Sequence, residues 1–179
     1  MSYLELIIGP MYSGKTSELL KIYEKCISSN ISVIVINHSI DKRYHETMLS
    51  SHDKKMVSCI QTDSLREVWE NNNTIKSVDV ILINEGQFFL DLYEVVKEML
   101  DYKKQIYVCG LDGDFERKKF GYILDLIPLC DSVYKKKSLF KLCKDGTPAL
   151  FSMRLTAEKQ QTVIGSDNYI PVCRKCYIG

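Results

Sequence analysis

Net charge is almost absent from this chain: 24 lysines and arginines face 23 aspartates and glutamates, leaving +1. A protein that grips nucleic acid along its surface needs a basic face, and the composition supplies none. Lys135-Lys136-Lys137 is a compact basic run, and a solvated loop accounts for it as well as a binding patch does. No apolar stretch approaches the length of a membrane span. A strand is expected within about three residues of Met1, which leaves no room for a signal peptide. The seven cysteines are an odd number, and without a secretion signal they argue against a disulfide framework. Cys26 and Cys109 sit in apolar patterns and are expected to be buried thiols. Internal repeats and low-complexity segments are missing too. What remains is a globular chain of 179 residues, 45% hydrophobic and 26% charged. That is enough for one ordinary domain with a small appendage and a real core.

The chain is organised around Gly9-Pro10-Met11-Tyr12-Ser13-Gly14-Lys15-Thr16. This fits the phosphate-cradling pattern G-x-x-x-x-G-K-[ST]. Gly9 and Gly14 permit a tight turn and a close approach of backbone to phosphate. The loop N–H groups and the N-terminus of the following helix supply partial positive charge. Lys15 is expected to reach the β- and γ-phosphates of a nucleotide, and the Thr16 hydroxyl to sit on Mg²⁺. The context agrees. Tyr3 to Ile8 reads as a buried strand, and Leu19, Leu20, Tyr23, Cys26 and Ile27 recur at helical spacing. A Gly-rich turn with an exposed lysine is the bland alternative, and the flanking strand and helix count against it.

Further strands are expected at Ser32–Asn37, Val78–Ile83 and Gln105–Cys109, all rich in apolar and β-branched residues. Strands alternating with helices imply βαβ units and a parallel sheet. A short helix starts at Ser64–Trp69 and ends at Asn71-Asn72-Asn73. Asp91 is expected to cap a helix with Leu92, Val95, Val96, Met99 and Leu100 on one face. Residues 40–55 are polar and read as a functional loop, and 110–120 as a second loop. Tyr122–Leu129 is apolar but of no clear type. From about Ser132 the texture changes to short polar pieces, turns and cysteines, so residues 1–131 form the expected nucleotide-binding domain and 132–179 a smaller part.

The third strand runs into Asn84-Glu85-Gly86-Gln87. Phosphoryl-transfer sites of this type place a Mg²⁺-holding acid at such a strand end. Here Asn84 occupies that position, with a carboxamide oxygen and no charge. Glu85 follows at the carboxyl end of the sheet, where α/β folds put their chemistry. A carboxylate there can take a proton from an attacking hydroxyl. A surface glutamate in a loop is the competing reading.

Taken together, the chain resembles the type II thymidine kinases, the family of the cytosolic animal, many bacterial and the poxvirus enzymes. The resemblance rests on Gly9 to Thr16, Asp41-Lys-Arg-Tyr44, Asn84-Glu-Gly-Gln-Phe-Phe89, Leu111 to Phe120, Val163-Ile-Gly165 and Val172-Cys-Arg-Lys-Cys-Tyr177. Its short C-terminus is most similar to the large-DNA-virus members. The resemblance implies an α/β fold: a P-loop parallel sheet flanked by helices, with a small zinc-ribbon-like lasso domain at the C-terminus. It implies transfer of the ATP γ-phosphate to the 5′-hydroxyl of thymidine or deoxyuridine. Glu85 would be the general base, with Lys15, Mg²⁺ and Arg43 neutralising the transferring phosphoryl group and Asp41 orienting Arg43. The base pocket would use Met11, Phe88, Leu111, Phe115, Phe120 and Tyr169, although ordinary core packing explains the phenylalanines equally well by composition. Gln161, Thr162, Val163, Ile164 and Gly165 match a loop that closes over the nucleoside with backbone hydrogen bonds. Ser152 falls near a threonine that relatives carry beside the base. Arg117 suits either phosphate or a surface ion pair.

The resemblance also implies structural zinc held by two Cys-x-x-Cys pairs. Cys173 and Cys176 form the second pair, whereas in the first Cys143 is matched but Phe140 replaces its partner. Three thiolates and an unknown fourth ligand, or a metal-free module, are both open. A cytoplasmic location (the host's, if the chain is viral), a homotetramer and feedback by deoxythymidine triphosphate belong to the same implication, with neither nucleic acid nor membrane as partner. Two other readings stand beside it: a nucleotide-binding protein impaired in catalysis, and another kind of P-loop NTPase.

Overall fold

The computed structural model describes residues 1–41, 48–50, 56–139, 146–163 and 165–178. Arg43, Phe140, Cys143 and Ile164 lie outside the described residues.

The expected strands form at β1 (Tyr3–Ile8), β2 (Val33–His38), β6 (Val80–Asn84) and β7 (Gln105–Gly110). With the short β5 (Ile60–Thr62) and β8 (Ser132–Lys135) they make one six-stranded sheet in the order β5-β2-β6-β7-β1-β8, parallel throughout. A parallel sheet needs both faces covered, which is why its central strands read as near-continuous apolar runs. Side-chain alternation divides them. Leu4, Leu6, Ile81, Ile83, Ile106 and Val108 pack on one face against α2 (Leu65–Asn71) and α4 (Leu92–Asp101), through Trp69, Val95, Val96 and Met99. Ile7, Val35, Leu82 and Cys109 pack on the other against Leu19, Leu20 and Cys26 of α1 (Lys15–Ser28).

Several details differ from expectation. The polar stretch 40–55 is not loop throughout. β3 (Met48–Ser50) and β4 (Met56–Ser58) pair antiparallel, and Leu49 is buried. Asp91 stands at the N-cap of α4, but its carboxylate serves another helix: Oδ2 accepts from Ser64 Oγ at 2.9 Å and from the Arg66 N–H at 2.8 Å. Asn72 ends α2 and caps α3 (Asn73–Ser77), its Oδ1 accepting from the Thr74 N–H. The apolar segment of no clear type is a 3₁₀ helix, Ile123–Leu129. β8 begins after the expected boundary at residue 131, so the main sheet takes its edge strand from the segment assigned to the smaller part.

Beyond β8, β9 (Phe151–Arg154) and β10 (Tyr169–Val172) form an antiparallel pair followed by α5 (Arg174–Ile178). Cys173 is buried just after β10, and the Cys176 N–H donates to its Sγ at 3.4 Å. Among the described residues, no group of three or more His, Cys, Asp or Glu is placed to hold a metal ion. No described helix is long and apolar enough to cross a membrane.

Candidate active site

The loop between β1 and α1 wraps the N-terminus of α1, with Gly14 as N-cap at φ +76°. Gly9 has no tolerated replacement: at φ +147° a Cβ would lie 2.5 Å from the Lys136 carbonyl oxygen. The expected basic run explains this crowding. The Lys136 N–H donates to the Ile8 carbonyl at 2.7 Å, Lys136 Nζ to Glu18 Oε2 at 3.0 Å, and Ser138 Oγ to the Tyr12 carbonyl at 3.1 Å. The hydrogen bond from Lys136 holds the Glu18 carboxyl below its ordinary pKa. Lys135 pairs with Asp112 at 2.8 Å. Two of the three lysines therefore brace the site from outside. Lys15 Nζ donates to the Pro10 carbonyl at 2.7 Å, inside its own loop.

At the end of β6, Asn84 is buried beside the loop. Its Oδ1 accepts from Thr16 Oγ1 at 3.3 Å and from Cys109 Sγ at 2.8 Å, while its Nδ2 donates to Asn37 Oδ1 at 2.7 Å. Asn37 Nδ2 in turn donates to Gln61 Oε1 at 3.3 Å. This carboxamide row follows the strand register, in which Asn37 is paired with both Asn84 and Gln61. It aims the Asn84 oxygen, not its nitrogen, at Thr16. Two neutral oxygens close together suit a hard cation such as Mg²⁺, which takes oxygen ligands and keeps much of its water.

Glu85 has left-handed backbone, φ 55° and ψ 41°. That conformation is uncommon outside glycine and occurs at functional turns. Its Oε2 accepts from Gln87 Nε2 at 2.6 Å, and Gln87 Oε1 accepts from the Leu111 N–H at 3.0 Å. Gln87 thus ties the carboxylate to the loop after β7. Gly110 leaves room for it, since a Cβ there would lie 2.3 Å from Gln87 Oε1.

These elements surround a cavity of about 350 Å³. Tyr12, Ser13, Gly14, Lys15, Thr16, Asp41 and Glu85 are among its polar lining. All six residues expected for a base pocket, Met11, Phe88, Leu111, Phe115, Phe120 and Tyr169, line the same cavity, joined by Gln161, Thr162, Val163 and Gly165. Phe88 and Phe120 meet edge to face at 5.4 Å. Ser152 also lines the cavity, its Oγ accepting from the Met11 N–H at 3.0 Å. Gly9 and Pro10 shape the loop without being among the lining residues. Arg117 stacks on Tyr177 at 4.2 Å, on the small C-terminal part.

Three contributors were not singled out from sequence: Gln87, Asp114 and Arg154. Asp114 accepts from the N–H groups of Glu116 and Lys118, and its Oδ2 accepts from Gln161 Nε2 at 2.8 Å. Arg154 is buried with its guanidinium 3.7 Å over the Phe115 ring. The alternation of β9, with Ser152 and Arg154 both buried, was a usable signal, because it puts the arginine on the same face as the pocket serine.

A strand, a glycine-bounded loop, a helix N-terminus and a carboxylate at the next strand end define a P-loop α/β protein. The chain belongs to the thymidine kinase family, and so to the kinases: the family described as Thymidine kinase matches residues 2–177. It is 41% identical over 177 residues to a Variola virus thymidine kinase, covering 98% of this chain and 97% of that one. It is 40% identical over 177 residues to the Sheeppox virus thymidine kinase, covering 98% and 96%. To the cytosolic thymidine kinase of Bos taurus it is 38% identical over 175 residues, covering 97% and 71%. The crystal structure of a DNA replication initiation factor, 14% identical, overlays 77% of this chain and 40% of its own with a TM-score of 0.48, too weak a likeness to bear on function.

Proposed function

We propose that this chain transfers the γ-phosphoryl group of ATP to the 5′-hydroxyl of thymidine or deoxyuridine. The observation that carries the reading is one cavity lined together by the phosphate loop, the aromatic residues and Glu85. A pyrimidine seated among Phe88, Phe115, Phe120 and Tyr169 directs its sugar toward Glu85. The 5′-oxygen forms the new bond to the γ-phosphorus, the bridging bond to the β-phosphate breaks, and the hydroxyl proton passes to the Glu85 carboxylate. Lys15 turns from the Pro10 carbonyl onto the phosphates. Thr16 Oγ1 would hold Mg²⁺, with the Asn84 oxygen beside it to accept from a metal-bound water, and the ion would supply neutralisation of phosphate charge. Arg43 joins Lys15 in this reading, oriented by Asp41. ATP consumption with and without thymidine tests the proposal. Consumption should require thymidine and match the dTMP formed. Thymidine-independent hydrolysis would favour an NTPase, and no consumption at all an impaired relative.

Because Asn84 brings an oxygen but no charge, the enzyme should need more free Mg²⁺ than a carboxylate at this position would. A water-mediated unit charge in a wet site is worth roughly 1 kcal/mol, or about fivefold. Asn84→Asp should therefore lower the half-saturating Mg²⁺ about fivefold, with little change in thymidine KM. The carboxamide row can accommodate it if Asn37 and Gln61 turn together, Asn37 Nδ2 toward the new carboxylate and Gln61 Nε2 toward Asn37 Oδ1. Coincident Mg²⁺ titrations of the two proteins would remove position 84 from metal binding.

Zinc on Cys143, Cys173 and Cys176 is part of the same proposal. The N–H to sulfur bond from Cys176 to Cys173 suits thiolate ligands, which accept such bonds. Metal analysis of protein purified without added zinc should approach one ion per chain, and Phe140→Cys should raise both zinc retention and Tm by completing a tetrahedron. Zinc in neither protein would make the module metal-free. A homotetramer, deoxythymidine triphosphate feedback and a cytoplasmic location rest on the family.

A further inference from the structure

Residues 161–163 line the cavity, yet the segment 158–163 to which they belong has no secondary structure of its own. Residues 158–162 are exposed, so apolar burial contributes little to keeping the segment there. Gln161 Nε2 ties it to Asp114 Oδ2 at 2.8 Å, and Arg154 makes the larger set of bonds. Nη1 donates to the carbonyls of Glu158, at 2.7 Å, and Gln160; Nη2 donates to the carbonyl of Gln161 at 3.0 Å and to the Tyr169 hydroxyl at 2.6 Å. Each terminal nitrogen thus makes two bonds. The Tyr169 oxygen lies 3.2 Å from both the N–H and the carbonyl oxygen of Val163 and carries the clamp one residue pair further. The guanidinium plane lies on Phe115 at 3.7 Å and faces Tyr169 at 5.1 Å.

Burying a guanidinium is unfavourable unless acceptors meet its donors; here the carbonyls and the Tyr169 hydroxyl meet both terminal nitrogens, while Nε is buried without a hydrogen-bond partner among the described contacts. We infer that Arg154 is a positioning residue for the nucleoside: it clamps the 158–163 segment, whose residues 161–163 line the cavity, to the rings of Phe115 and Tyr169 and thereby sets affinity for thymidine. The inference rests on the proposed kinase reading for its substrate, while the clamp itself does not. No bond from Arg154 reaches the phosphate loop or Glu85 among the described contacts, so its loss should act on nucleoside binding and leave the chemistry alone.

Lysine keeps the charge but not the planar fork, and cannot bond three carbonyls and a hydroxyl while lying flat on a ring. Arg154→Lys and Arg154→Gln should each raise thymidine KM about ten- to hundredfold, as expected for loss of charge-assisted hydrogen bonds. ATP KM and kcat at saturating thymidine should stay within about threefold. Tyr169→Phe removes the relay to Val163, so combining it with Arg154→Gln should raise KM by less than the product of the single effects. Hydrogen exchange of the Val163 amide, followed without ligand, should quicken in Arg154→Gln. A thymidine KM unchanged in both arginine variants, or a kcat loss with both KM values unchanged, would overturn the inference. If the wild type does not phosphorylate thymidine, the functional reading fails instead, and exchange still decides: unchanged protection of Val163 would overturn the clamp.

Discussion

Replacing Glu85 by glutamine is expected to lower kcat about 10²–10⁴-fold while thymidine still binds, the usual contribution of a positioned general base. The surroundings favour a clean test. Gln87 Nε2 donates to one carboxylate oxygen at 2.6 Å and is itself fixed by the Leu111 N–H. An amide at position 85 offers its oxygen to the same donor, so the side chain stays in place and only proton acceptance is lost. The left-handed backbone at Glu85 belongs to the turn and is not altered by the change. Steady-state dTMP formation gives kcat, and calorimetric titration gives thymidine affinity. Activity within about a factor of two of wild type would remove Glu85 from the mechanism.

Lys15→Met should reduce kcat/KM for ATP by about 10²–10³-fold, the scale for removing one preorganised charge-stabilising group. In this structure Lys15 Nζ also bonds the Pro10 carbonyl at 2.7 Å, so part of any loss could come from the loop. Lys15→Arg separates the two contributions. It keeps a cation, but its fork and hydration differ from those of an ammonium point charge. A partial return of activity in the arginine variant, at wild-type Tm in both, assigns the loss to phosphate binding. Unchanged ATP kinetics in Lys15→Met would exclude this lysine from the phosphate site.

Much of the site was legible because its determinants are local. The glycine and lysine spacing of residues 9–16 defines a phosphate loop whatever surrounds it. Glu85 is found by counting to the end of an apolar strand. The base pocket became legible through family motifs, since apolar spacing alone does not separate a ligand-facing phenylalanine from a core one, and Phe88, Phe89 and Phe120 show both environments within one cluster. β8 was not legible. Ser132-Val133-Tyr134-Lys135 is an edge strand, mostly exposed, so it lacks the buried run that marked β1, β2, β6 and β7. Lys136 was equally opaque: a lysine in a basic run looks solvated until the edge strand delivers it to the phosphate loop.

By itself the sequence determined the elements whose signal lies within one turn or one strand: the loop, the central strands, the amphipathic helices and the carboxylate at a strand end. Tertiary structure alone decided which polar side chains are buried and what they hold. Asn37 meets Asn84 only through parallel register, Gln87 joins Glu85 to Leu111 only when β6 and β7 lie side by side, and Arg154 finds its carbonyls only when the 158–163 segment folds back. Burying a polar group is unfavourable unless partners converge on it, and those partners come from distant parts of the chain, where no local pattern can announce them.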